Sequence, residues 1–239
     1  MKAMILAAGR GERMRPLTDT CPKPLLEVAG IPLIGWHLRR LAAAGITNVV
    51  INHAWLGHLI EARLGDGGDY GVSIRYSPER RALESAGGIA HALPLLGGQP
   101  FAVINGDIFT DYDFNRLAGL AARLGEMPAG ATAHLVLVPK AGYPTGRDLT
   151  LDADGRARPC EDGDAPLTFS GIALYRPEFF ADVAPAAPKP LLPCFLDAMA
   201  RGQVSAERFD GCWLDVGTVE RLDEANRRVV EVPSNMPDL

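Results

Sequence analysis

The chain has 239 residues, 47 % hydrophobic and 22 % charged, with a formal net charge of −5. That length suits one large domain burying about three quarters of its extended surface, and an acidic balance argues against a general nucleic-acid surface. No apolar run approaches the roughly 18–20 residues of a membrane span, and Met1-Lys2 leads into a strand rather than a signal peptide.

Residues 3–7 (A-M-I-L-A) have the length and bounding of a buried strand. The run ends in Ala8-Gly9, where small side chains let the backbone turn and a ligand approach closely. Arg10, Glu12, Arg13, Arg15 and Lys23 follow, a mostly cationic loop. Backbone N–H groups there offer a nest for phosphate oxygens, and the guanidinium and ammonium groups offer charge neutralisation. A plain basic surface loop is the other reading of the same spacing. The dinucleotide fingerprint fails because Met14 stands where its third glycine belongs, and the Gly-Lys-Ser/Thr end of a P-loop does not occur. Cys21, Cys160, Cys194 and Cys212 lack the spacing of a zinc site or a disulfide framework, so reduced thiols and a cytoplasmic location are expected.

Leu33-Ile34, His37-Leu38 and Leu41 recur at helical spacing and predict a helix stopped by Gly45. Residues 47–51 read as a buried strand. Trp55-Leu56, Leu59-Ile60 and Arg63-Leu64 predict a second amphipathic helix, ended by the turn cluster Gly65-Asp66-Gly67-Gly68. Residues 72–76 alternate as a strand, 89–96 as a short helix, and 101–104 as a buried strand running into Asn105-Gly106-Asp107. Asp113 then caps a helix through Leu124. This alternation predicts an α/β fold with a doubly wound, mostly parallel (mixed) Rossmann-like sheet. Ligands of such sheets bind at the carboxyl ends of strands, where the basic loop and Asn105-Gly106-Asp107 both stand. Beyond it, residues 133–138 read as a strand, 142–148 as a loop and 149–157 as a hairpin. Residues 167–175 form a strand broken by Ser170-Gly171, and the prolines between Pro177 and Pro193 delimit short helices. Trp213-Leu214-Asp215-Val216-Gly217-Thr218 opens a last helix, 219–230, before a frayed tail, 232–239.

Asp107, directly after an apolar strand and a glycine, suits magnesium bound beside substrate phosphates; a turn aspartate in an Asn-Gly-Asp bend is the alternative. Asp215 is the natural second ligand or, taken alone, an acid near a helix start. Asp111 and Asp113 read as helix-start acids. Lys23, aimed by Pro22 and Pro24, reads as a phosphate ligand or a solvated surface lysine. His53 and His58 read as structural.

The spacing L-x-x-G-x-G-x-R-x-x-P-L-T, carried by Leu6, Gly9, Gly11, Arg13, Pro16, Leu17 and Thr18 and followed by Lys23-Pro24, resembles the signature of sugar-1-phosphate nucleotidyltransferases. The resemblance implies that Ala8, Gly9, Gly11, Glu12, Arg13, Lys23, Glu79, Glu84, Gly88 and Asn105 bind a nucleotide. It assigns catalysis to Arg13, Lys23 and Asp107, with Lys23 on the sugar phosphate and α-phosphate and Arg13 on the β- and γ-phosphates. Asp107 and Asp215 would hold Mg²⁺. Gly146, Asp148, Glu161, Ser170, Gly171 and Asp215 fall where relatives bind the sugar, and Phe169-Ser170-Gly171-Ile172 is similar to one of their segments. Leu83-Glu84-Ser85-Ala86-Gly87-Gly88 resembles the segment that lies against base and ribose, except that Glu84 replaces a small residue and leaves the base open. Glu79 stands where relatives read the base, and a carboxylate there accepts from an imide N–H. One nucleotidyltransferase domain over residues 1–231 is implied, with a nucleotide half of about 1–115 and a small, β-rich sugar half of about 116–231.

Three further runs are similar to one branch of that family, the uridylyltransferases that act on N-acetylmuramate α-1-phosphate in peptidoglycan recycling. They are Ile51-Asn52-His53-Ala54-Trp55-Leu56-Gly57, Ser77-Pro78-Glu79 and Asp107-x-x-Thr110-Asp111-Tyr112-Asp113-Phe114. Arg10 departs from the lysine expected there, keeping its charge. The expected partners are UTP and a sugar 1-phosphate, without nucleic acid or membrane, on a monomer or homodimer. No hexapeptide-repeat extension follows, which argues against acetyltransferase-fused relatives. The alternatives are mannose-1-phosphate guanylyltransferase, glucose-1-phosphate thymidylyl- or uridylyltransferase, a phosphocholine-type cytidylyltransferase, and a silent nucleotide-sugar sensor. A sensor has no need of Arg13, Lys23, Asp107 and Asp215 together.

Overall fold

The computed structural model describes residues 1–124, 130–140 and 148–231. In chain order these form β1 (Lys2–Leu6), α1 (Leu17–Thr20), β2 (Glu27–Val28), β3 (Ile31–Pro32), α2 (Leu33–Ala43), β4 (Asn48–His53) and α3 (Gly57–Leu64). Then come β5 (Ser73–Pro78), α4 (Glu84–Leu96), β6 (Phe101–Asn105), β7 (Ile108–Thr110), α5 (Asn115–Ala121) and β8 (Ala133–Pro139). The remainder is β9 (Leu149–Leu151), β10 (Ala157–Pro159), β11 (Leu167–Tyr175), α6 (Leu191–Ala200), β12 (Val204–Arg208), β13 (Trp213–Asp215) and α7 (Val219–Glu231).

The main sheet runs β10-β9-β11-β6-β1-β4-β5, with β8 pairing both β11 and β12. Strands β6, β1, β4 and β5 are parallel, whereas β11 runs antiparallel to β6 and β8, so the sheet is mixed. β1 is central, and a parallel strand covered on both faces is apolar throughout. Alternation then sorts its side chains. Ala3 and Ile5 join Ile34 and Leu38 of α2 and Ile60 of α3 on one face. Met4 joins Ala86 and Ile89 of α4 and Phe195 of α6 on the other. β6 divides likewise, with Ala102 and Ile104 on the first face and Phe101 and Val103 on the second. Each fully buried large side chain of this kind contributes roughly 1.5–3 kcal/mol. Burial thus outweighs local propensity in fixing the layers.

The chain leaves β1 toward β4 and β5 on one side and returns to β6 on the other. The order therefore reverses between β1 and β6, and the crevice beyond their carboxyl ends is the natural ligand site. A third apolar cluster lies outside the sheet, where Met14, Leu26, Val28, Trp36, Phe109, Leu214 and Val216 pack together. It ties the loop after β1 to the β7–β13 pair.

Several sequence expectations are corrected. α3 begins at Gly57, because Leu56 is left-handed (φ 50) and Trp55 precedes the helix. α4 begins at Glu84, well before residue 89. α5 ends at Ala121, and Asp113 Oδ1 opens it as an acceptor from the Asn115 backbone N–H at 3.0 Å. β7, β12 and β13 were not expected. Asp215 ends strand β13 instead of standing in a helix cap. The interruption at Ser170-Gly171 is a register shift within β11, where Gly171 takes φ 82.

Beneath β7, His37 is 1 % exposed and its Nε2 lies 2.9 Å from the Ile108 carbonyl oxygen. A carbonyl only accepts, so Nε2 carries the hydrogen, and Nδ1 has no partner. Burial pushes this imidazole down to about 4, from an ordinary value near 6.5. Below about pH 6.5 the unfolded chain takes up a proton that the fold refuses, so stability is full above that pH. It falls as pH drops toward 4, by about 3 kcal/mol for this group. Urea unfolding at pH 7.5, 5.5 and 4.5 should show that decline, flattened in His37→Gln. An equal decline in both proteins counts against His37 as its source.

Candidate active site

The loop after β1 is held by its own side chains. Gly11 is left-handed (φ 65), and a Cβ there would stand 2.8 Å from Thr18 Cγ2, so only glycine fits. The Thr18 hydroxyl donates to the Gly11 carbonyl at 2.8 Å, and Trp55 Nε1 donates to the Thr18 carbonyl at 3.0 Å. Arg10 lies over the Trp55 ring at 5.3 Å, a cation–π contact. Met14 is fully buried. Glu12 and Arg13 remain exposed. The Arg13 guanidinium crosses to the β13 side, where a Cβ on Gly217 would meet its Nη2 at 3.0 Å.

Lys23 is brought in by the same loop. Pro22 and Pro24 flank it at a short 3₁₀ turn, and it is only 7 % exposed. Its Nζ lies 2.6 Å from Asp107 Oδ2. Asp107 is carried by β6: the Gly106 N–H donates to the Leu6 carbonyl at 2.9 Å, and a Cβ at Gly106 would sit 2.8 Å from that oxygen. β6 thus turns tightly over the end of β1. The Asp107 carbonyl accepts from the Val216 N–H at 3.0 Å. The neighbouring Asp215 stands opposite Ile108 and pairs through Oδ2 with Arg221 Nη1 at 3.2 Å. Two partly exposed carboxylates therefore stand at one end of the β7–β13 pair, Asp107 just before β7 and Asp215 as the last residue of β13. Among the described residues no three His, Cys, Asp or Glu side chains converge as a metal cage. Two carboxylates without a cage are the donor set that suits magnesium shared with substrate phosphates and water.

Beyond β1 and β6 lies a chamber of about 320 Å³ whose wall includes Ala8, Gly9, Lys23, Glu84, Asn105 and Asp107. Asn52 and Ser85 also line it. Asn52 was not singled out as a site residue from the sequence, although it is a polar residue, 2 % exposed, next to the last position of buried strand β4. Its Oδ1 accepts from the Ala7 N–H at 3.0 Å, and its Nδ2 donates to Glu79 Oε1 at 2.6 Å. Glu79 Oε2 accepts from the Leu83 N–H at 2.8 Å. Glu79 is 6 % exposed and is a strut behind the wall; Asn52 is what the chamber meets. Gly88 makes room, since a Cβ there would lie 2.6 Å from Glu79 Oε1. Glu84 opens α4 at φ 57, a left-handed backbone without a glycine, which costs about 1–2 kcal/mol.

A second chamber of about 510 Å³ shares Glu84, Ser85 and Asn105 with the first. Ser170 lies behind it, 1 % exposed, its Oγ accepting from the Ile172 N–H at 3.2 Å and its carbonyl from Trp213 Nε1 at 2.8 Å. Gly171 admits the Asn105 side chain, whose Nδ2 would be 2.7 Å from a Cβ there. Asp148, before β9, pairs with Lys140. Glu161 is exposed on a turn, with its N–H donating to Asp164 Oδ2 at 2.8 Å. Gly146 lies outside the described residues. The structure thus gathers Ala8, Gly9, Lys23, Glu84, Asn105 and Asp107 around one cavity. Glu79 and Gly88 stand behind its wall, Ser170 and Gly171 behind that of the second chamber, and Arg13 and Asp215 lie on the β13 side.

Comparison with known proteins agrees in extent and fold. The chain is 57 % identical over 226 residues to the N-acetylmuramate alpha-1-phosphate uridylyltransferase of Neisseria meningitidis serogroup B, covering 94 % of this chain and 96 % of that one. It is 38 % identical to the enzyme of the same name from Caulobacter vibrioides, covering 96 % and 97 %. A crystal structure from Bacillus anthracis, in complex with a sucrose, superposes with a TM-score of 0.82 at 23 % identity, over 97 % of this chain and 96 % of that one. A structure of HddC from Yersinia pseudotuberculosis, complexed with GMP-PN, gives 0.75 at 19 % identity, over 95 % and 98 %. Residues 2–142, more than half of the chain, match the family model for nucleotidyl transferases. On that match and the full-length identities, the protein belongs to the nucleotidyl transferase family.

Proposed function

We propose that the protein transfers UMP from UTP to N-acetylmuramate α-1-phosphate, giving the UDP-sugar and pyrophosphate. The observation that carries this reading is the 57 % identity to an enzyme of that activity across almost the whole of both chains. The joined chambers agree with it, one beside a cationic loop and one beyond it for an acceptor. In the reaction an oxygen of the sugar 1-phosphate attacks the α-phosphorus of UTP. The new P–O bond forms as the bond from the α-phosphorus to the bridging oxygen breaks, and pyrophosphate leaves with that electron pair. The attacking phosphate is already anionic at pH 7, so no general base is required.

The work left to the chain is positioning and charge neutralisation. Lys23, nearly buried and fixed by two prolines, places one ammonium at the mouth of the chamber. Arg13, on the loop after β1, would meet the departing β- and γ-phosphates. Ala8, Asn52 and Glu84 line the space proposed for the base. Asp107 and Asp215 would hold a divalent cation, which when bound neutralises phosphate charge. Nucleotide chemistry falls to residues of about 1–115 and the acceptor to those of about 116–231.

Pyrophosphate release over a grid tests the reading: UTP, dTTP, GTP, CTP and ATP against N-acetylmuramate, N-acetylglucosamine, glucose and mannose 1-phosphates. The expected signal needs UTP and N-acetylmuramate 1-phosphate and disappears on removal of Mg²⁺ by chelation. Turnover confined to GTP and mannose 1-phosphate would keep the chemistry and overturn the substrates. Tight nucleotide-sugar binding without turnover would overturn the enzyme.

A further inference from the structure

The second chamber is lined largely by carbon. Leu149, Phe169, Leu191, Leu192 and Phe195 line it together with Pro190 and Thr168, and the polar side chains Glu84, Ser85 and Asn105 cluster at the junction with the nucleotide chamber. Because those three residues belong to both cavities, whatever fills the second chamber lies beside the nucleotide. A plain hexose carries a hydroxyl at each free ring position and needs a polar partner for each. A hydroxyl set against Leu192 and the two phenylalanines would lose its water and gain no partner from them.

The wall is also built in advance. Phe169 and Phe195 meet edge to face at 5.2 Å, and Phe195 is backed by Phe179 at 5.9 Å and Tyr175 at 6.4 Å. The segment leading to Leu191 is pinned to the start of α4. The Lys189 carbonyl accepts from the Ala86 and Gly87 N–H groups at 3.0 and 3.2 Å, and the Lys189 N–H donates to the Leu83 carbonyl at 3.0 Å. Gly87 permits this closeness, since a Cβ there would lie 2.3 Å from the Ala187 carbonyl oxygen. Leu192, on the first turn of α6, keeps 41 % of its surface exposed. A large apolar side chain held there by a fixed backbone contributes little to the core and faces the chamber.

We infer that this wall is a subsite for methyl-bearing substituents on the acceptor sugar. It selects N-acylated or ether-substituted sugar 1-phosphates over unsubstituted hexose 1-phosphates. The inference rests on the proposed function and assigns its sugar selectivity to Leu192 and its neighbours, as specificity-determining rather than catalytic residues.

The test compares Leu192→Ser and Leu192→Met with the native protein. It measures kcat/KM for N-acetylmuramate and N-acetylglucosamine 1-phosphates, the inhibition constant of glucose 1-phosphate, and KM for UTP. Leu192→Ser should lower kcat/KM for the substituted sugars by about tenfold, the order expected for a lost methyl contact in an apolar pocket. Glucose 1-phosphate inhibition and the UTP KM should hold, and Leu192→Met should remain near native. A loss shared by both substituted sugars assigns the subsite to the acetamido methyl, and a loss confined to N-acetylmuramate assigns it to the lactyl methyl; either supports the inference. Equal weakening of all three sugars, or none, overturns it. If the native protein turns over glucose or mannose 1-phosphate but neither N-acetylated sugar, both readings fall. That result is visible before any substitution is made.

Discussion

Lys23→Met should lower kcat/KM by about 10³-fold while leaving the protein folded, the order expected when a fixed charge that stabilises a transition state is removed. Methionine matches the lysine stem, so the buried space stays filled and only the ammonium is lost. Asp107 loses its 2.6 Å partner but is about one-third exposed, so water can take up the released oxygen. Thermal unfolding should therefore move little while pyrophosphate release falls. Lys23→Arg should not restore activity, because a planar fork cannot take the place of a point charge in a site this enclosed. Activity within tenfold of native in Lys23→Met would remove Lys23 from the chemistry.

Asp107→Asn should cost about 10²–10³-fold in kcat, with Mg²⁺ saturation displaced to higher concentration. The substitution keeps shape and one acceptor oxygen. The Gly106 turn and the Val216 hydrogen bond run through the backbone and should survive. Circular dichroism and unfolding should thus match the native protein, separating a chemical defect from a structural one. Because Lys23 and Asp107 form an ion pair, their losses should couple, and the double variant should be scarcely worse than the poorer single one. Multiplied losses in the double variant, or an unchanged Mg²⁺ dependence in Asp107→Asn, would contradict the pairing.

What could be read from the sequence was whatever local pattern decides. β1 and β6 are short apolar runs ended by glycine, and a strand buried on both faces has few other ways to look. α2 was legible because Leu33, Ile34, Leu38 and Leu41 repeat at helical spacing and Gly45 stops them. β7 and β13 were not legible. Each is three residues long, and each exists through pairing with a partner more than 100 positions away. β12 is longer, but it too forms against a strand distant in sequence, β8. The start of α4 was missed because Glu84 takes a left-handed backbone that sequence rules reserve for glycine. Around the site, Lys23 and Asp107 carry motif context. Asn52 became visible only once the Glu79 carboxylate was seen to hold it against the wall. The apolar wall is assembled from β9, β11 and α6, so no single stretch announces it.

Glu84 carries an implication for how this protein responds to selection. Its backbone is in the conformation glycine adopts freely, so glycine there would relax the fold by roughly a kilocalorie per mole. A carboxylate kept at that expense, at the junction of the two chambers, points to use of the side chain. A library screened only for heat resistance should thus drift toward glycine at this position. Such a screen would enrich robust proteins while changing the wall that the two chambers share, so thermal tolerance and turnover should be selected together.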